Sequence, residues 1–136
     1  AGYEDVDDTQ GLTNAGNTST STGYAKYSAG GLTIAYQESY QNTKNVSGTE
    51  GADKESNAFG IAYTSGDLTI SYAESELDTK AVSNTVALAT AQLESLQAAY
   101  TMGAMTVSAA MSETNNAGGI TARKYEENTL AVSFAF

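Results

Sequence analysis

One pattern recurs three times along the chain and limits what it can become: a tyrosine, a glycine-bearing centre, then a run in which apolar and small polar residues alternate. Residues 27–36 (YSAGGLTIAY), 63–72 (YTSGDLTISY) and 100–109 (YTMGAMTVSA) align, with Tyr27, Tyr63 and Tyr100 setting intervals of 36 and 37 residues. A period of two is the signature of a β-strand with one apolar face, and glycine at the centre of a two-residue turn supplies the positive φ that a tight hairpin needs. Each copy therefore predicts one β-hairpin.

The second arms alternate strictly: Leu32, Ile34 and Tyr36 against Thr33, Ala35 and Gln37, then Leu68, Ile70 and Tyr72 against Thr69, Ser71 and Ala73, then Met105 and Val107 against Thr106 and Ser108. First arms do the same, with Phe59, Ile61 and Tyr63 opposing Gly60, Ala62 and Thr64, and Leu96, Ala98 and Tyr100 opposing Gln97, Ala99 and Thr101. A last strand, 128–136, sets Leu130, Val132, Phe134 and Phe136 against Ala131, Ser133 and Ala135. Seven strands result, in an all-β, antiparallel, up-and-down order. The connections at 42–57, 76–93 and 113–127 are long, acidic and rich in Asn, Thr, Ser and Gly, and residues 1–22 form a similar polar lead-in to the unit 23–136. Tight turns gather at one end of the sheet and long loops at the other. Within one loop, residues 85–93 (TVALATAQL) alternate poorly and carry helix-favouring Ala and Leu, which predicts a short helix.

Composition excludes much chemistry. The chain has no His, Cys, Trp or Pro, so no Ser-His-Asp or Cys-His nucleophile and no imidazole or thiolate metal site exist in it. A net charge of −10 repels nucleic acid and anionic lipid headgroups. Glu74 and Glu76 share a strand face as a glycosidase pair would, but no aromatic platform accompanies them, and the chain reads as a non-enzyme. Glu4, Asp5, Asp7 and Asp8 offer hard oxygens to Ca²⁺ without the spacing of a calcium loop; no other cofactor is expected. Asn17-Thr18-Ser19 and Asn45-Val46-Ser47 match glycosylation sequons, which carry no weight in most bacterial settings. No stretch reaches the roughly 20 apolar residues of a membrane helix, and the acidic start AGYEDVDD does not read as a signal peptide.

Alternation alone does not separate a soluble sandwich from a membrane barrel. The polar face discriminates better, because it is built of Ala, Ser, Thr, Gly and Gln with Lys26 and hardly any other charge, while carboxylates collect in the loops. Tyr27, Tyr63 and Tyr100 lie near the tight turns, where an aromatic girdle meets a membrane interface, or where tyrosines simply pack across a soluble sheet. Strands of about 10 residues tilted near 40° span about 25 Å, the height of an outer-membrane apolar band.

The hairpins YSAGGLTIAYQES and YTSGDLTISYAES, and the closing NTLAVSFAF ending on Phe136, resemble the C-terminal part of a Gram-negative outer-membrane porin, in the style of marine and other alphaproteobacterial general porins. The resemblance covers residues 23–136. It implies the bacterial outer membrane, passive diffusion of small hydrophilic solutes and ions through a water-filled channel, a surround of outer-membrane lipid, a homotrimer, and a terminal Phe136 read by the barrel assembly machinery. It also implies that seven strands are a portion of a larger, commonly 16-stranded, barrel, whose constriction loop lies elsewhere. By strand parity the pore-lining residues are then Tyr24, Lys26, Ser28, Thr33, Gln37, Thr64, Thr69, Ser71, Gln97, Thr101, Thr106, Ser108 and Ser133. Leu32, Ile34, Phe59, Ile61, Leu68, Ile70, Met105, Val107, Leu130, Val132 and Phe134 face lipid, and Tyr27, Tyr63, Tyr100 and Phe136 form the girdle and assembly signal. Arg123 and Lys124, near the outer end of the last strand, either face the pore or pair with Glu126 or Glu127 at the rim. Two other readings stand beside this one: a small barrel or adhesin-like surface protein binding ligands through its acidic loops, and a soluble, repeat-built β protein.

Overall fold

The computed structural model describes residues 2–6, 17–44, 52–80 and 88–135. They run as β1 (Gly2–Val6), β2 (Asn17–Ala29), β3 (Leu32–Lys44), β4 (Asp53–Ser65), β5 (Leu68–Lys80), β6 (Ala91–Met102), β7 (Met105–Asn115) and β8 (Tyr125–Phe134). All eight lie in one antiparallel sheet in chain order. The fold is thus all-β and up-and-down, and β2 to β8 are the seven strands that the repeats predict.

The differences lie at the strand ends. Polar segments read as loop continue the ladder: Tyr40 pairs with Glu55 and Glu76 with Gln92, well beyond the alternating apolar residues. The lead-in likewise holds β1 and the first half of β2, joined from Gly2 opposite Thr22 to Val6 opposite Thr18. The closing strand begins at Tyr125 rather than 128. The expected helix over 85–93 is corrected where the chain is described: residues 88–90 are irregular and 91–93 already belong to β6, Leu93 pairing with both Ser75 and Thr114. Two flanking ladders satisfy more backbone groups there than one helical turn would, which overrides the preference of Ala and Leu. Positions 85–87, the acidic run at 7–8, Asn45-Val46-Ser47 and Phe136 fall outside the described residues, as do the side chains of Glu4 and Asp5. A three-residue 3-10 turn, Ala117–Gly119, is the helical element among the described residues, and no helix there is long and apolar enough to cross a membrane.

The tight turns behave as their glycines predict. Gly30 and Gly31 both take positive φ, 57° and 83°, whereas Gly66 and Gly103 do so at 57° and 59° with Asp67 and Ala104 following at ordinary φ. The second residue of each turn also receives the next strand through its carbonyl: Thr64 N–H donates to Gly31 O at 2.9 Å, Thr101 to Asp67 at 3.0 Å and Ala135 to Ala104 at 2.8 Å.

These bonds fix a stagger. Leu32, at one tight turn, faces Tyr63, two residues in from the end of β4, and Leu68 faces Tyr100, two residues in from the end of β6. Advancing two residues, at ~3.3 Å each, for every two strands spaced ~4.8 Å inclines the strands by about 35° to the normal of the row of turns. Closed barrels require a tilt of that size.

The sheet has no second layer among the described residues. Among the described residues none is buried. The chain exposes 9554 Å², whereas a compact monomer of 14.1 kDa would expose about 6,700 Å². β1 and β8 each pair on one side only, so the sheet is open among the described residues.

Candidate functional site

Register carries each residue to one of two faces without a slip, because the pairing sums stay constant along every ladder. One row runs Tyr27, Ile34, Ile61, Tyr72, Leu96, Met111, and the next Leu32, Tyr63, Ile70, Ala98, Ala109, Leu130. Every described residue read from sequence as lipid-facing or girdle lies on this face, Phe136 being outside the described residues. All thirteen read as pore-lining lie on the other.

The apolar face is divided along the strands. Near the tight turns it is hydrophobic and open, with Leu130 76% and Phe134 59% exposed. Beyond Tyr36, Phe59, Tyr72, Leu96 and Met111 the same parity delivers carboxylates and amides. Glu74, Glu94, Glu113 and Glu126 stand directly opposite one another on consecutive strands. Like charges in register repel. Partial relief comes from Lys124, whose ammonium lies 2.6 Å from Glu126 and 2.9 Å from Glu113, and from the Tyr72 hydroxyl, which donates to Glu74 at 2.9 Å. One row further out, acids alternate with amides: Gln92 donates to Glu76 at 2.8 Å and Asn57 to its other oxygen at 3.5 Å. Tyr40 donates to Glu38 in the same way that Tyr72 meets Glu74. Lys80 lies 3.8 Å from Glu55.

The hydrophobic belt is therefore narrower than the strands. From Met102 to Leu96 it covers roughly 20 Å along the strand at ~3.3 Å per residue, a height of about 16 Å at a tilt of about 35°, less than the ~25 Å apolar band of an outer-membrane barrel. The glutamate row is not among the features read from sequence, although carrying the apolar parity one rung past Tyr72 and Leu96 lands on Glu74 and Glu94.

The opposite face is mainly small and hydroxylic, with Tyr24, Leu77, Leu93 and Tyr125 as its large hydrophobic side chains and Lys26, Lys54 and Glu127 as its charges in β2 to β8. At each tight turn a pair of hydroxyls meets across the hairpin: Ser28 with Thr33 at 3.0 Å, Thr64 with Thr69 at 3.1 Å and Thr101 with Thr106 at 3.1 Å. Gln37 donates to Ser39 at 3.3 Å and Gln97 to Ser95 at 3.2 Å. Ser39 and Ser95 extend the polar face beyond the residues named from sequence, and Thr22 adds a hydroxyl contact to Ser39 at 2.8 Å. A shallow concavity of about 150 Å³ on this face is lined in part by Thr69, Ser71, Gln97 and Ser108, and a larger one of about 300 Å³ lies on the other face beside Tyr72, Glu94, Glu113 and Glu126.

Of the two basic residues at the rim, Lys124 pairs with Glu126 and Glu113 rather than Glu127, and hydrogen bonds to them, Glu126 foremost, leave its pKa pushed up to about 12. The loop carrying it is tied together by Asn116, which sits at φ 51°. Its side chain donates to Thr90 O at 3.0 Å and accepts from Ala122 N–H at 3.0 Å. Gly119 closes against the neighbouring loop, its carbonyl accepting from Ala89 at 3.0 Å, where an added Cβ would lie 3.1 Å from Leu88 Cβ.

Among the described residues no group of three or more His, Cys, Asp or Glu side chains is arranged to hold a metal ion. No protein-family signature matches the chain, nor does any curated protein or solved structure.

Proposed function

We propose that β1 to β8 form part of the wall of an outer-membrane β-barrel that conducts small hydrophilic solutes and ions through a water-filled channel, without catalysing chemistry. The observation that carries this reading is the single uncovered layer: a hydrophobic belt on one face, a small hydroxylic surface on the other, and no buried residue between them among those described. Water does not tolerate such a belt uncovered, and a second protein layer is the ordinary remedy. A lipid bilayer is the remedy that also explains the tilt of about 35° and the tyrosines at both margins of the belt.

Width follows from side-chain size. An eight-stranded barrel is just narrow enough for large side chains to fill. Ser, Thr, Ala and Gly along the inner face leave such a space wet, which favours these strands as one sector of a wider barrel. A belt shorter than the hydrocarbon thickness is accommodated by local thinning at modest cost, and the bacterial outer membrane is already thinner than most. Open edges at β1 and β8 must be paired before the sheet enters lipid. Trimeric association and recognition of the terminal strand by the assembly machinery belong to the same proposal.

The test is conductance. Purified full chain from the native membrane, added to a planar bilayer, should give stepwise currents and should migrate differently in detergent gels before and after heating. A chain that stays soluble without detergent and gives no currents would overturn the reading.

A further inference from the structure

Charge is sorted between the faces far more sharply than the overall composition indicates. Apart from β1, every acidic side chain in the described strands, from Glu38 to Glu126, lies on the face with the hydrophobic belt, with one exception, Glu127. The polar face holds Lys26 and Lys54 instead. Lys54 and Glu127 both sit near the loop end, where water and the rim surround them.

Lys26 is placed differently. It stands four residues from Gly30, opposite Ala35, at the height of Ala25 and Tyr27 in the belt on the other side. On the polar face at that height it is the one charged side chain among the described residues, and its neighbours Tyr24, Ser28, Thr33 and Gln37 are neutral. No salt bridge within 4.0 Å engages it among the described residues. An uncompensated ammonium flanked by hydroxyls and an amide attracts anions and repels cations in whatever water fills that side.

We propose that this wall favours small anions over cations, with Lys26 setting the preference, although the chain as a whole carries −10. The inference rests on the pore reading and names the solute class for it. Fixed acids on the outer face are separated from the channel water by the sheet and, beyond the belt, by mobile counterions.

The experiment is the reversal potential of the full chain in a planar bilayer under a KCl gradient, for the natural protein, Lys26→Gln, Lys26→Glu and Glu74→Gln. A unit charge about 10 Å from the permeating ions is screened over roughly one Debye length at 0.1 M salt and acts on both ions in opposite senses, so reversing it should change the chloride-to-potassium permeability ratio about threefold. The natural protein should favour chloride, Lys26→Gln should reduce the ratio and Lys26→Glu should invert or abolish it. Glu74→Gln, which also alters net charge by one but on the other face, should leave the ratio as it was. Currents with a ratio indifferent to both Lys26 substitutions, or moved as much by Glu74→Gln, would overturn the selectivity while the pore stands. Absence of current in every variant, natural protein included, would overturn both. Heat-modifiable mobility of each variant separates lost selectivity from lost folding.

Discussion

The two faces of the sheet are ordered in different ways. On the face bearing Leu32, Ile70 and Val132, character changes abruptly along each strand, from hydrophobic near the tight turns to acidic beyond Tyr36, Tyr72 and Leu96. On the face bearing Ser28, Thr69 and Ser108, hydroxyls and small residues predominate along both halves of the strands, joined near the loop end by Leu77, Leu93 and Tyr125, and no comparable row of acids appears. A face in contact with one solvent throughout has no reason to change along its length; a face that passes from hydrocarbon to headgroups and water does. The contrast teaches that pattern along the strand carries as much information as pattern across it.

The comparison is broken most directly by placing the same charge on both faces at one height. On the proposed membrane reading, Ile70→Arg should destabilise the folded state in the membrane by about 2–4 kcal/mol, the cost of arginine facing mid-bilayer lipid. On the same reading Ser71→Arg should cost little, because its guanidinium would enter water. Unfolding in detergent or vesicles with urea measures both, and equal costs would erase the distinction between the faces. Next in size is Gly31→Ala, where a Cβ would stand 2.2 Å from the Thr64 carbonyl oxygen on a residue at φ 83°. Strain of this kind costs on the order of 1–3 kcal/mol, and the same urea titration should register it, whereas Gly30→Ala meets open space and pays only for its φ of 57°.

Smaller effects belong to the loop rim. Asn116→Ala removes two hydrogen bonds and the residue type best suited to φ 51°, so the rim should loosen by about 1–2 kcal/mol and become sensitive to protease between β7 and β8. Smallest is Lys124→Met, which frees Glu113 and Glu126 to repel at the exposed rim. Because the Lys124 pKa is raised from 10.5 to about 12, its contribution is complete below pH 10.5 and disappears as pH rises through 12. Protease sensitivity of this loop should therefore increase over that window in the natural chain and show no such dependence in Lys124→Met.

Hairpins, turn positions and face assignments were legible in the sequence wherever only one face was apolar, as in Leu68-Thr69-Ile70-Ser71-Tyr72. The outer halves of the strands were not, because Glu38 through Thr43 are polar on both parities and period two leaves no trace in hydropathy. Backbone pairing continues there regardless, since Gln41 still finds Lys54 and Glu76 still finds Gln92. β1 was hidden for the same reason, as Gly2–Val6 is short and acidic. Helical preference at Ala91-Gln92-Leu93 pointed the wrong way because local propensity takes no account of the ladders waiting on either side. The glutamate row required the register of four strands, and no single segment displays it.

The most direct test of the central claim uses the absence of cysteine from the chain, which makes single substitutions clean reporters. Leu68→Cys, Thr69→Cys, Ile70→Cys and Ser71→Cys, each assembled in membranes, should alternate: Thr69→Cys and Ser71→Cys labelled by a water-soluble thiol reagent, Leu68→Cys and Ile70→Cys resistant to it, and fluorophores at the latter two quenched by a lipid-phase quencher. Uniform labelling at all four positions, with no quenching from lipid, would contradict a sheet that separates a bilayer from a channel.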